Sequence, residues 1–141
     1  MQASSTDDPS GPLADGHGTE RTIACLRHLR HVDEVIRACE VTVRPLIDEK
    51  RLGATTVAAT HNTLHFRLHE LELLCMQPLL FHSEGTFTAV YELKGKLAYF
   101  HGLLETDGKD ALRYWKKQLT GELETALSTV VKEEGRVVEG V

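Results

Sequence analysis

Basic blocks, long apolar runs and glycine-rich loops are all missing from this chain, and each absence removes a class of function. Lysine and arginine total 16 against 21 aspartates and glutamates, for a net charge of -5. That balance argues against a nucleic-acid backbone or an anionic membrane as partner. No apolar run approaches the roughly 20 residues of a membrane span. The stretch Met1 to Pro9 is polar and acidic, unlike a secretory signal and opposite in sign to a mitochondrial presequence. There is no Gly-rich phosphate loop and no Gly-x-Ser-x-Gly elbow, so two large enzyme classes lose their entry signals and the reading leans away from catalysis. Cysteine is scarce and odd in number: Cys25, Cys39 and Cys75 fall on the apolar stripes described below. They read as buried free thiols of a reducing compartment, cytoplasmic or nuclear.

What is present is helical periodicity. At 41% hydrophobic and 26% charged over 141 residues, the composition suits one globular domain. Residues 1–18 mix Ser, Asp, Pro, Gly and His without periodicity and read as a disordered tail. From Thr19, a plausible N-cap, Cys25, Leu29, Val32, Ile36, Cys39, Val43 and Leu46 step alternately by four and three residues. Pro45 is expected to kink or end that first helix. Thr55 or Thr56 caps a second helix with the stripe Val57, His61, Leu64, Leu68, Leu71 and Cys75, running to about Gln77. A third follows Ser83 with Thr86, Val90, Leu93, Leu97, Phe100 and Leu104. Gly95 and Gly102 interrupt it, which suggests close helix packing at those points. After Thr106-Asp107-Gly108 a fourth helix carries Leu112, Trp115, Leu119, Leu123, Ala126 and Val130. The spacing predicts an all-α, up-down-up-down four-helix bundle over 19–133 with a frayed end over 134–141.

The sharpest local signal is His61-Asn62-Thr63-Leu64-His65-Phe66-Arg67-Leu68-His69-Glu70-Leu71-Glu72, with three histidines four apart beside an apolar stripe. His61 takes a core slot, while His65, His69 and Glu72 share one flank, as a zinc or other transition-metal site on one helix would require. Counting about 1.5 Å per residue from the end where helices one and two meet, His101 lies about 5 Å down, His61 about 12 Å, His65 about 17 Å and His69 about 23 Å. A four-helix metal centre needs its ligands at one level. The spread leaves a local pair, His61 with His101, joined by Glu105; the alternative is a core histidine with boundary residues around it and no cofactor.

Two local resemblances accompany this pattern. Tyr91-Glu92-Leu93-Lys94-Gly95 resembles the His-x-Leu-Lys-Gly signature of histidine phosphotransfer domains, themselves four-helix bundles of this size. Tyr91 stands where the phosphorylated histidine would be, Lys96 and Leu97 replace the small residues that follow, and Gly102 falls one place late. The resemblance covers about a dozen residues and implies at most a relative that cannot carry phosphate. Ala111 to Leu119 is similar to the second helix of a tetratricopeptide unit, with no second copy at the required period of about 34 residues.

Two function classes remain: a non-catalytic helical interaction module that docks onto another protein or onto itself, and a small ligand- or metal-binding bundle with its site between helices two and three around His61, His65, Glu72 and His101. A concave, solvent-open pocket at those side chains favours the second class. For the first, Tyr99, Leu103 and Tyr114 lie on the helical wheel far from the buried stripe and are the expected contact surface. Removing residues 1–18 is expected to leave the melting temperature almost unchanged; a drop of more than a few degrees in a calorimetric scan would show that this segment packs on the bundle.

Overall fold

A computed structural model describes residues 12–49 and 52–140, with side chains from Gly18 onward. The elements are α1 (Pro12–Asp48), α2 (Ala54–Cys75), a 3-10 turn (Pro78–Phe81), α3 (Glu84–Thr106), α4 (Gly108–Tyr114), a π-helical turn (Trp115–Leu119) and α5 (Thr120–Glu139). α4, the π turn and α5 form one continuous rod, so the chain is a four-helix bundle, up-down-up-down. α1 packs against α2 and α5, and α3 packs against α2 and α5. No helix among the described residues is long and apolar enough to cross a membrane.

The stripes build the core as their spacing requires. Every predicted stripe residue of α1 and α3 is buried, and so are Trp115, Leu119, Leu123, Ala126 and Val130 of the last rod. α2 departs from its stripe at the upper end, where Thr60 is buried and His61 and Val57 are only half-buried. All three cysteines are buried and unpaired. Burial pushes the Cys39 thiol up to about 12 and raises Cys75 as well, which leaves both unreactive.

Several boundaries differ from the sequence expectation. Residues 1–11 of the expected tail lie outside the described residues, and the backbone is helical from Pro12, seven residues ahead of Thr19. α1 runs through Pro45 to Asp48 because the proline sits in the last turn, faces solvent and still lets Leu46 reach the core. The N-cap of α2 is Gly53 rather than a threonine; Thr56 instead donates to Glu49 Oε1 at 3.0 Å. Gly95 and Gly102 mark no close approach, since a Cβ at either would meet nothing within 4 Å. The last helix continues to Glu139 with Val137 at 2% exposure, so its ordered core extends past the expected fray point.

The reason for that extension is Glu133, which is 1% exposed. Its Oε1 accepts hydrogen bonds from Ser83 Oγ at 3.1 Å, Thr86 Oγ1 at 3.1 Å and Arg136 Nη1 at 2.9 Å, and its Oε2 lies 2.5 Å from His82 Nδ1. Ser83 is also the N-cap of α3, accepting from the Thr86 backbone N–H. His82 has φ 70° and ψ -36°, and Ser83 N–H donates to Phe81 O at 2.8 Å, which together make a γ-turn of the strained, positive-φ kind.

Burial alone would raise the Glu133 pKa, but the bonds from His82, Arg136, Thr86 and Ser83 outweigh it and hold the carboxyl below its ordinary value. A depressed folded-state pKa stabilises above the unfolded value, about 4.3, and that stabilisation is lost as pH falls through the folded value. Wild type is therefore expected to lose stability as pH falls from about 4.3 through that lower value, and Glu133→Ala to be less stable at neutral pH by on the order of 3 kcal/mol. Denaturant melts at neutral and acid pH check this. Equal acid sensitivity of wild type and variant would remove Glu133 as the cause.

Candidate functional site

Three places that the sequence pointed to gather chemically able side chains. The first lies between α3 and α4. Tyr99 is 58% exposed and meets Tyr114 edge to face, ring centroids 4.9 Å apart. Tyr99, Leu103, Arg113, Tyr114 and Gln118 line a shallow recess of about 240 Å³. Leu103 and Tyr114 lean into the seam and pack partly against the core, so the helical wheel overstated their exposure. The wheel treats a side chain as a radial vector, whereas long side chains at a helix-helix boundary lie down across the groove. Lys96 and Glu122 close one side of this face with an ion pair at 2.6 Å.

The second place is the histidine cluster. His61 and His101 stack with centroids 3.9 Å apart and planes 19° apart, and His65 lies 5.9 Å from His101. The counted heights pair His61 with His101 at about 7 Å apart along the axis. Cα–Cβ bonds tilt toward each helix's N-terminus, so on antiparallel α2 and α3 the two side chains lean toward each other and close the gap. His101 Nε2 bonds the His61 carbonyl at 3.1 Å, while Glu105 comes within 2.8 Å of His61 Nε2 but out of line for a hydrogen bond. Burial, aided by His61 and His65, lowers the His101 pKa, with the His61 carbonyl and Glu105 offsetting part of it. His101 is neutral at pH 7.

Parallel stacked rings hold their lone pairs in separate planes, so His61 and His101 cannot both point at one ion in this arrangement. His69 is apart from the stack and meets Glu72 at 3.7 Å on the exposed side of α2. Among the described residues no group of three or more His, Cys, Asp and Glu could hold a metal ion. His61, Asn62, Glu105 and Lys109 do line an open cleft of about 660 Å³ at the upper end of the bundle, over Leu52 and Val57. His65, His69 and Glu72 line a smaller one of about 220 Å³ with Lys94. The histidine region is therefore partly concave and solvent-open, without being a convergent ligand set.

The third place, on α3, is the segment resembling the phosphotransfer signature. Tyr91 is half-exposed, stacked on Phe87, with the Lys94 ammonium 4.5 Å from its ring centroid. That contact is a cation-π pair and satisfies the lysine without any phosphate. No protein-family model, no curated protein and no solved structure matches the chain.

The sequence reading missed the cluster of Glu133 with His82, Ser83, Thr86 and Arg136. Serine, histidine and a carboxylate meet there, but both His82 and Ser83 are bonded to Glu133 and not to each other, so no imidazole is positioned to take the serine proton, and the carboxylate that accepts from it is a weak base held below its ordinary pKa. The arrangement is a structural clamp. For the histidines, calorimetric titration is expected to give zinc binding weaker than micromolar that Asn62→Ala does not change; submicromolar affinity lost in His61→Ala or His101→Ala would establish a metal site.

Proposed function

We propose that this chain is a non-catalytic helical interaction module, an adaptor or a subunit of a larger assembly, whose contact surface includes Tyr99, Leu103 and Tyr114. The observation that carries the reading is Tyr99: a large ring 58% exposed, held edge-on by Tyr114 beside a shallow recess. Gly95 and Gly102 bracket it one turn away on each side, with open space above both. A rigid aromatic with unobstructed approach and fixed orientation is the kind of side chain that anchors protein interfaces at low entropic cost. The partner is another protein, or a second copy; the net charge of -5 argues against nucleic acid and anionic membranes. Three buried free thiols fit a cytoplasmic or nuclear setting.

One specific observation favours a second reading, a small ligand-binding bundle: the cleft of about 660 Å³ joins His61, Asn62, Glu105 and Lys109 over apolar Leu52 and Val57. Hits from a fragment screen that vanish in Glu105→Ala would put it first. A phosphotransfer-like role is supported by the four-helix frame alone, because the phenol of Tyr91 replaces the nucleophilic imidazole.

Tyr99→Ser is expected to keep the helical content and melting of the wild type while losing capture of a partner from the native source, or self-association in sedimentation. Gly95→Ala and Gly102→Ala are expected to raise stability by about 0.5–1 kcal/mol each, since the Cβ is unhindered and glycine is the weaker helix former. Either alanine should also weaken the same capture by crowding the ring. Capture that survives all three substitutions would sink the tyrosine face.

A further inference from the structure

Across the bundle from the tyrosines, the outer groove between the N-terminal part of α1 and the C-terminal part of α2 opens into a recess of about 500 Å³. Its wall holds His28, which is 6% exposed and packs edge-on to Phe81 at 4.8 Å. His28 Nε2 is buried with no hydrogen-bond partner among the described residues. Burial lowers its pKa, the nearby Leu74 carbonyl raises it in part, and His31 lowers it further, so the ring is neutral. The ring forms part of the groove's wall and adds no charge to it.

Leu73 and Leu74 of α2 and Leu80 of the turn that follows it give the recess an apolar floor, and Leu73 is 50% exposed. Arg27 stands on the rim and has no ion-pair partner among the described residues, whereas Glu70, the rim's acid, is already held by Arg67 at 2.9 Å. The chain is acidic overall, yet this rim is left with a positive charge.

We propose that this groove is the docking site for an acidic amphipathic helix of a protein partner. Its apolar side chains lie on Leu73, Leu74 and Leu80, and a carboxylate meets Arg27. A second copy of this chain fits less well, since a two-fold interface would bring the same uncompensated arginine to both sides. The inference rests on the reading of the chain as an interaction module but is independent of the tyrosine face.

The test uses the full chain, ¹⁵N-labelled, titrated with a synthetic Leu/Glu amphipathic helix of about five turns and with a Leu/Lys helix of the same apolar stripe. The Leu/Glu helix is expected to shift amides of residues 24–31 and 70–80 saturably, and the Leu/Lys helix to bind at least about tenfold more weakly. Arg27→Glu and Leu73→Glu, both surface changes that should keep the wild-type melting temperature, are each expected to weaken the Leu/Glu helix about tenfold. Tyr99→Ser is expected to leave it unchanged. Equal binding of the two helices, or shifts confined to the tyrosine face and abolished by Tyr99→Ser, would overturn the proposal. So would self-association without peptide that Leu73→Glu abolishes, or binding to phosphatidylserine vesicles in place of the peptide.

Discussion

A single buried carboxylate sets the geometry of the lower end of this bundle. Glu133 on α5 holds the turn that starts α3, some 50 residues earlier in the chain, through His82, Ser83 and Thr86. Isolated, a glutamate at 1% exposure would be strongly unfavourable. Here four donors surround it, two of them carried on partly or fully exposed side chains that keep contact with water. The positive-φ γ-turn at His82 costs on the order of 1–3 kcal/mol. Charge-assisted hydrogen bonds are each worth about 1.5–3 kcal/mol, so the clamp outweighs the strain it imposes. Because Ser83 both caps α3 and binds Glu133, the start of one helix and the register of its neighbour are fixed by the same atoms.

The last rod solves a second register problem. Ala111, Trp115, Leu119 and Leu123 are all buried and spaced four apart. On a regular α-helix each step of four overshoots a turn by about 40°, so three in a row would carry Leu123 about 120° off the core face. The π turn at Trp115–Leu119 absorbs about one residue of that excess. Thr120 N–H bonds Trp115 O five residues back, and the Thr120 hydroxyl reinforces the same carbonyl at 3.1 Å. Trp115 thereby stays against Phe100, centroids 5.0 Å apart, and Tyr114 immediately before it is turned into the α3 seam where it meets Tyr99.

The fold was legible wherever burial follows a simple period, which is why the stripes of α1 and α3 could be read to the residue. It failed where a polar group occupies a core slot. Continuing Ala126 and Val130 by three and four lands on Glu133 and Val137, so the signal was there, but the composition after Lys132 looked like a fraying end. Nothing local in His82-Ser83 announces a partner so far along the chain. His61 was misplaced for a related reason: Thr60 hides its hydroxyl in a helix more easily than an imidazole hides its nitrogens, so the stripe slips by one residue at that end. The contact between His61, His101 and Glu105 was legible because neighbouring antiparallel helices and short connections leave few choices. Its stacked geometry was not, since ring orientation depends on the hydrogen bond from His101 to the His61 carbonyl.

A square bundle of four helices uses only one stripe of each, and the inner stripes here are complete without the residues that form the two candidate contact surfaces. Single exposed apolar side chains need no explanation on a soluble protein. Tyr99 with its glycine flanks and the apolar floor of Leu73, Leu74 and Leu80 differ because each is accompanied by a second feature that the core does not require. Beside the tyrosine that feature is an edge-to-face partner fixing the ring; beside the leucines it is Arg27, without an ion-pair partner among the described residues. The two surfaces lie on opposite sides of the square, one on the α3–α4 seam and one on the α1–α2 groove. The clamp at Glu133 and the π turn each fix a helix that bears on the tyrosine seam, and the clamp also holds the residues that follow the turn whose Leu80 lines the groove. One buried carboxylate therefore bears on both candidate surfaces.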